Sequence, residues 1–235
     1  RWSNGPLWIE NVAESYGKDV KAALLGGTNY AYGNAKTCAI SGVTSSVPDM
    51  CDQITQYLTT VSNKANPNAL YVIDSSAVGN EITQVLGGAA TSNQITTTAP
   101  TNVINMLQAL YTAGARRFLI ANVPDVGATP LVQGYGATAA ATATSLSGGF
   151  NLALDNALNN FTITNPSAVV YKADFYGTLS KVKTAPSAYG ISNTTDACQI
   201  GGVICSSPDF YLYWDNFHPT KAVGSIVSSY VLGLI

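Results

Sequence analysis

Three short apolar runs constrain this chain more than any other feature: Leu70-Tyr71-Val72-Ile73, Phe118-Leu119-Ile120-Ala121-Asn122-Val123 and Ala168-Val169-Val170-Tyr171. Each has the length of a strand. Around them apolar residues recur at helical spacing. Ile54, Tyr57, Leu58 and Val61 come before the first run, and Val103, Ile104, Leu107, Leu110 and Tyr111 lie between the first and second. Leu146, Phe150, Leu154, Leu158 and Phe161 lie between the second and third. Pro100 opens the middle helix after a Thr-rich linker, and Gly114 closes it. Residues 136–144, rich in Ala and Thr, read as loop or helix start. A short helix carries Leu7, Trp8, Asn11, Val12 and Tyr16. A last one carries Ala222, Val223, Ile226, Val227, Tyr230 and Val231, with Pro219 just inside its start. Strands alternating with helices predict an α/β fold with a central parallel sheet and helices on both faces. Asp74 to Glu81 reads as a polar loop at a strand's C-terminal end, where open α/β sheets place their sites.

At 235 residues the chain is long enough for one large domain, and a single domain over residues 1–235 is the expectation. Charged residues are 10 % of the chain, against about 25 % in an average domain, and the net charge is −2 without a basic cluster. That argues against nucleic acid or anionic lipid as a partner. No apolar run has the roughly 18–20 residues that span a bilayer, and the chain reads as a mature or trimmed one. The four cysteines fall into two close pairs, Cys38 with Cys51 and Cys198 with Cys205. Local pairing closes two short loops, whereas C-x-x-C spacing is absent and a lone histidine leaves too few ligands for the usual zinc sites. Two disulfides are expected, with no metal and no cofactor. They suit a secreted protein, as do the Asn-x-Thr sequons at Asn160 and Asn193.

The only histidine is His218, in Trp214-Asp215-Asn216-Phe217-His218-Pro219-Thr220. Imidazole is the side chain that titrates near neutrality, so His218 is the candidate general base. Asp215, three residues earlier, can accept the ring N–H in a turn, fixing the tautomer and stabilising the imidazolium. A surface histidine that happens to follow an aspartate is the plain alternative. Upstream, Leu24-Leu25-Gly26-Gly27-Thr28-Asn29-Tyr30-Ala31-Tyr32-Gly33-Asn34-Ala35 is glycine-rich without the Lys-Ser/Thr of a phosphate loop, and its backbone N–H groups could face a ligand.

Several of these stretches together resemble the GDSL or SGNH hydrolases, secreted serine esterases and lipases with a three-layer α/β/α, flavodoxin-like fold. Asp215 to Thr220 resembles the family's last block, D-x-x-H-P-T, which implies Asp215 as triad acid and His218 as base. Asn29 to Ala35 resembles the second block, N-[FY]-A-x-G-G-A, which implies an oxyanion N–H from Gly33. The strand at residues 70–73 and the loop after it take the place of the third block, G-x-N-D, which implies Asn80 as a further oxyanion donor. Arg1 to Pro6 resembles the segment that follows the first block. The sequence departs from the family in three places: the Gly-Asp-Ser block with its nucleophile and first strand would lie ahead of Arg1, residues 74–81 are longer than G-x-N-D and carry Glu81 for Asp, and Asn34 replaces a glycine. Asp74-Ser75 offers Ser75 as a second place for a nucleophile, although block order assigns that loop to the third block. The resemblance implies a carboxylesterase, lipase or carbohydrate acetylesterase acting on a small-molecule or carbohydrate ester, with a cleaved N-terminal peptide as a further partner. The other reading is a catalytically inactive relative that binds carbohydrate or serves a structural role.

Overall fold

The computed structural model describes residues 2–38 and 45–235; Arg1 lies outside them. In chain order the elements are α1 (Trp8–Ser15), α2 (Met50–Thr60), β1 (Leu70–Asp74), α3 (Val78–Leu86), α4 (Ala99–Thr112), β2 (Arg117–Ala121), α5 (Pro130–Gln133), α6 (Ala137–Thr164), β3 (Val169–Ala173), α7 (Phe175–Thr184), β4 (Asn193–Ala197), β5 (Gln199–Ile200), β6 (Val203–Ile204), β7 (Tyr211–Tyr213) and α8 (Lys221–Leu232). They form two compact units. One comprises residues 22–123 and 145–173, the other residues 1–21, 124–144 and 174–235.

The first of these units holds the three predicted strands as a parallel sheet in the order β1-β2-β3. Leu70 pairs with Arg117, Arg117 with Val169, and Asp74 with Ala121 at the far end. In the middle strand Phe118, Leu119, Ile120 and Ala121 are all buried, the continuous apolar run of a parallel strand covered on both faces. Ile82, Ile95, Val103, Leu107, Leu110, Phe150 and Leu154 are buried in the same unit. Phe118 meets Phe161 of α6 edge-on at 6.0 Å. Each such side chain contributes about 1.5–3 kcal/mol by leaving water. Gly114 ends the turn after α4 at φ +119°, and a Cβ there would stand 2.8 Å from the Ala65 carbonyl oxygen, so the position excludes side chains twice over.

In the other unit α1 packs on α8. Gly224 makes the approach close: a Cβ there would sit 3.5 Å from the Pro6 oxygen and the Trp8 nitrogen. Trp8 stands edge-on to Phe175 at 5.1 Å. β4 and β7 pair in parallel with one irregularity, and β5 and β6 form a hairpin whose two turn residues, Gly201 and Gly202, both take positive φ. That is the turn a two-residue hairpin favours, and Gly-Gly adopts it without strain.

The α/β class and the parallel sheet are as read from the sequence. Three local readings are corrected. Residues 74–81 are no loop: Asp74 caps a single 3-10 turn at Ser75–Ala77 that runs directly into α3, whose apolar face buries Val78 and Ile82. The Thr-rich stretch before Pro100 is no linker but a π-helical turn, Gln94–Thr98, continuous with α4 and anchored by the buried Ile95. Pro219 lies before α8 rather than inside it. It bridges to Tyr213, and Thr220 is the cap, its hydroxyl accepting the Val223 N–H. Of residues 136–144, open between loop and helix start, those from Ala137 on form the first turns of α6, and Gly136 precedes it at φ +96°.

Candidate active site

The loop carrying Asp215 and His218 is built by β7 on one side and the capped start of α8 on the other. The Trp214 N–H donates to the His218 carbonyl at 2.8 Å and the Thr220 N–H to the Leu212 carbonyl at 3.1 Å, closing a tight turn over residues 215–217. The Thr220 hydroxyl donates to the Tyr211 carbonyl at 2.7 Å while capping α8, and the residue is buried. The buried Tyr213 hydroxyl donates to the Ala128 carbonyl at 3.0 Å, and the Leu131 N–H to the Asn216 carbonyl at 2.9 Å, so α5 and the segment just before it hold the turn from outside.

Inside this turn one carboxylate gathers three donors. Asp215 Oδ1 accepts the N–H of Phe217 at 2.8 Å and of His218 at 2.7 Å, and the carboxylate meets the His218 ring at Nδ1, 2.9 Å from Oδ2. Burial by itself would raise the Asp215 carboxyl. The hydrogen bonds from the His218 ring and from the two backbone amides outweigh it and hold the group below its ordinary range. The charged acid thus fixes the imidazole with Nδ1 toward itself. Nε2 has no hydrogen-bond partner among the described residues, and the ring is about one third exposed. An acceptor for a proton stands at the surface, oriented by a carboxylate that stays ionised.

The ring is also covered. Trp2 stacks on it with centroids 4.8 Å apart and planes 29° off parallel, and Phe217 touches it edge-on at 5.6 Å. Sequence reasoning assigned no role to Trp2. The signal available was weak, a tryptophan just ahead of Ser-Asn-Gly-Pro, and the two rings meet only through tertiary structure.

The second and third blocks lie together in the other unit. Gly33 sits on an exposed turn, and its N–H has no partner among the described residues. Asn34 follows at φ +63°, a conformation in which asparagine is among the best tolerated residues after glycine, which accounts for the departure from the family's second glycine. Asn80, in the first turn of α3, donates from Nδ2 to the Ala35 carbonyl at 2.9 Å, so the two blocks are hydrogen-bonded to each other. Its neighbour Glu81, buried, accepts the Thr37 N–H at 2.6 Å, and the buried Asp49 accepts the Lys36 N–H at 2.9 Å. Burial pushes the Glu81 carboxyl up, against the Thr37 hydrogen bonds that pull it down. These two carboxylates hold the strand-like tail of the second block. The sequence showed Glu81 only as a replacement for the expected Asp.

Ser75 has no accessible surface, and its hydroxyl finds no partner among the described residues. A nucleophile that meets substrate must be reachable, and Ser75 is not. Cys38 pairs with Cys51 and Cys198 with Cys205, as the spacing suggested. Asn160 is exposed on α6, while Asn193 is half-buried and donates to Asp196 at 2.8 Å. Among the described residues no three His, Cys, Asp or Glu side chains group closely enough to hold a metal ion, and no helix is long and apolar enough to cross a membrane.

Comparison with known proteins agrees with the family resemblance read from the sequence. The family model described as GDSL-like lipase/acylhydrolase matches residues 1–231. A GDSL esterase/lipase of Arabidopsis thaliana is 29 % identical over 54 % of this chain and 40 % of its own length. Lipase 1 of Photorhabdus luminescens is 25 % identical over 97 % of this chain and 45 % of its own length. The Arabidopsis GDSL esterase/lipase EXL6 is 24 % identical over 97 % of this chain and 77 % of its own length. The chain therefore spans less than half of the first two of these relatives.

Proposed function

Because this chain belongs to the GDSL-like lipase/acylhydrolase family, we propose that it is part of a secreted ester hydrolase with a Ser-His-Asp triad whose Ser lies outside this chain. The observation that carries this reading is the Asp215 carboxylate bound to His218 Nδ1 at 2.9 Å with Nε2 left open. His218 takes the proton of a serine hydroxyl as its oxygen attacks the ester carbonyl, and Asp215 stabilises the imidazolium so formed. The proton then passes from Nε2 to the departing alcohol. Water, deprotonated by the same nitrogen, releases the acid from the acyl-enzyme. The serine belongs to a Gly-Asp-Ser block ahead of Arg1. In support, β1 has β2 as its one hydrogen-bonded neighbour among the described residues, which leaves an edge that a preceding strand would pair.

Gly33 and Asn80 are the proposed oxyanion donors. The Gly33 N–H is unclaimed among the described residues, and an Asn amide has two N–H groups, of which the Ala35 carbonyl takes one. Loss of one such donor costs about 2.7–4 kcal/mol in the transition state. The substrate is a carboxylic, lipid or carbohydrate ester. Both disulfides fit an oxidising compartment, and Asn160 and Asn193 are the proposed glycosylation sites in a eukaryotic host.

A serine-directed fluorophosphonate, applied to the protein with all residues its gene encodes ahead of Arg1, tests this. One label on a serine in that upstream segment, lost in His218→Ala, is the expected result. An absence of label where a related esterase reacts would favour the inactive, carbohydrate-binding relative, and a label on Ser75 would overturn the assignment of the nucleophile.

A further inference from the structure

We propose that Trp2 is a positioning residue for His218, held over the imidazole by a clamp of Asn4, Asp209 and Lys221. The inference rests on the reading of His218 as the base. Asp215 holds the ring at one atom, Nδ1, 3.0 Å from Oδ1 and 2.9 Å from Oδ2, and a hold at one atom leaves the ring free to rock about it. A flat partner on one face removes that freedom. Trp2 supplies it at 4.8 Å, while remaining 44 % exposed, so its own burial is not what fixes it.

The arm that carries Trp2 is fixed two residues further on. Asn4 Oδ1 accepts the N–H of Lys221, the first residue of α8, at 2.7 Å. This is one of the helix-end amides that no carbonyl within the helix can satisfy. Asn4 Nδ2 donates to Asp209 at 3.3 Å, and Lys221 Nζ pairs with the other Asp209 oxygen at 3.3 Å. The Lys221 stem lies so close to Gly5 that a Cβ there would stand 2.7 Å from Cδ. The helix capped by Thr220 thus fixes the position of the arm at its first residue and ends the histidine loop with its cap. One element sets both rings.

The electronic consequence acts in the same direction. An indole face attracts a cation, so the stack favours the imidazolium that exists only once the proton has moved. A contact that strengthens only then changes kcat and leaves KM nearly alone. Trp2→Ala should lower kcat about tenfold or more, with KM within about twofold, since a misplaced base can cost about a hundredfold. Trp2→Phe, which keeps a flat face, should restore kcat to within about threefold of wild type. Asn4→Ala, which frees the arm without touching either ring, should fall between the two.

A second readout needs no turnover. A protonated imidazole against an indole quenches its emission, and the chain has three tryptophans. Tryptophan emission of the full-length protein should fall on acidification, once the imidazole is protonated. The fall should vanish in His218→Gln and in Trp2→Phe and persist in Trp214→Phe. A fall that persists in Trp2→Phe and vanishes in Trp214→Phe would overturn the inference, as would an unchanged kcat in Trp2→Ala of an active protein. Quenching as described in a protein without any turnover would confirm the stack and sink the hydrolase reading instead.

Discussion

Asp215 takes on two tasks that a single substitution separates. Its carboxylate accepts two backbone N–H groups that shape the turn and one ring N–H that orients the His218 imidazole. Asparagine keeps an acceptor for the turn but offers the ring no negative charge and allows the wrong tautomer. Asp215→Asn should therefore stay folded and lose about 10³–10⁴ in kcat. The same carboxylate makes a linked prediction about stability. Its pKa is held below the ordinary 3.8 in the folded chain, so the unfolded chain binds its proton first as pH falls. The stability it contributes is present above the ordinary value and is lost as pH drops through the depressed one. Thermal melts of wild type and Asp215→Asn should differ at about pH 4 and converge as pH falls further; a gap that persisted undiminished in stronger acid would contradict the assignment. This much of the site was legible in sequence, because a three-residue spacing in a turn is a local fact. The stack of Trp2 on His218 was not, since no local pattern joins the first residues of the chain to the last loop.

Among the elements, those with a clear period were readable and those held by tertiary partners were not. β2 could be read because every residue from Phe118 to Ala121 is apolar and buried. α3 could not. Its first residues, Val-Gly-Asn-Glu, resemble a turn, and what makes them helical is the burial of Val78 and Ile82 and the tie of Asn80 and Glu81 to the second block. β4, with Asn, Thr, Thr and Asp, has the composition of a loop and becomes a strand by pairing with β7. Glu81 shows how much α3 depends on such ties. A buried carboxylate whose pKa is raised above the ordinary 4.5 adds stability only while protonated, and that contribution is lost as pH rises through the raised value. Glu81→Gln retains an oxygen for the Thr37 N–H without the cost of burying a charge. The variant should match wild type near pH 4 and gain on it toward pH 8 in thermal melts. If it lost stability at pH 8 and matched at pH 4, the attraction to Lys36 would outweigh burial. A loss at both would mean that the Thr37 bond requires the carboxylate.

At the scale of the whole molecule, the chain builds each of its two units from separated segments. The unit with the parallel sheet needs residues 145–173 as well as 22–123, and the other unit needs three stretches, including both termini. Strand order alone does not show this, because the segments of a unit are assigned only once their partners are known. α6 starts in one unit, at residues that read as low-complexity sequence, and continues through the other. The consequence can be tested by truncation. A fragment ending at Val123 contains β1, β2 and α1 to α4, and by length alone could be a small α/β domain. It lacks β3, which pairs with β2 along Arg117 to Ala121, and it lacks Phe150, Leu154, Leu158 and Phe161 of α6, all buried. Phe118 loses the ring at 6.0 Å that covers it. Removing a buried Phe or Leu by mutation costs about 2–5 kcal/mol, so losing four such residues at once is comparable to the whole of the about 5–15 kcal/mol that stabilises a typical domain. The fragment should show no cooperative urea transition by circular dichroism, whereas the whole chain should. A cooperative transition in residues 1–123 would mean that β1, β2 and the helices between them close a core without β3, and that the second half of the chain is not needed to hold the strand from which the third block leaves.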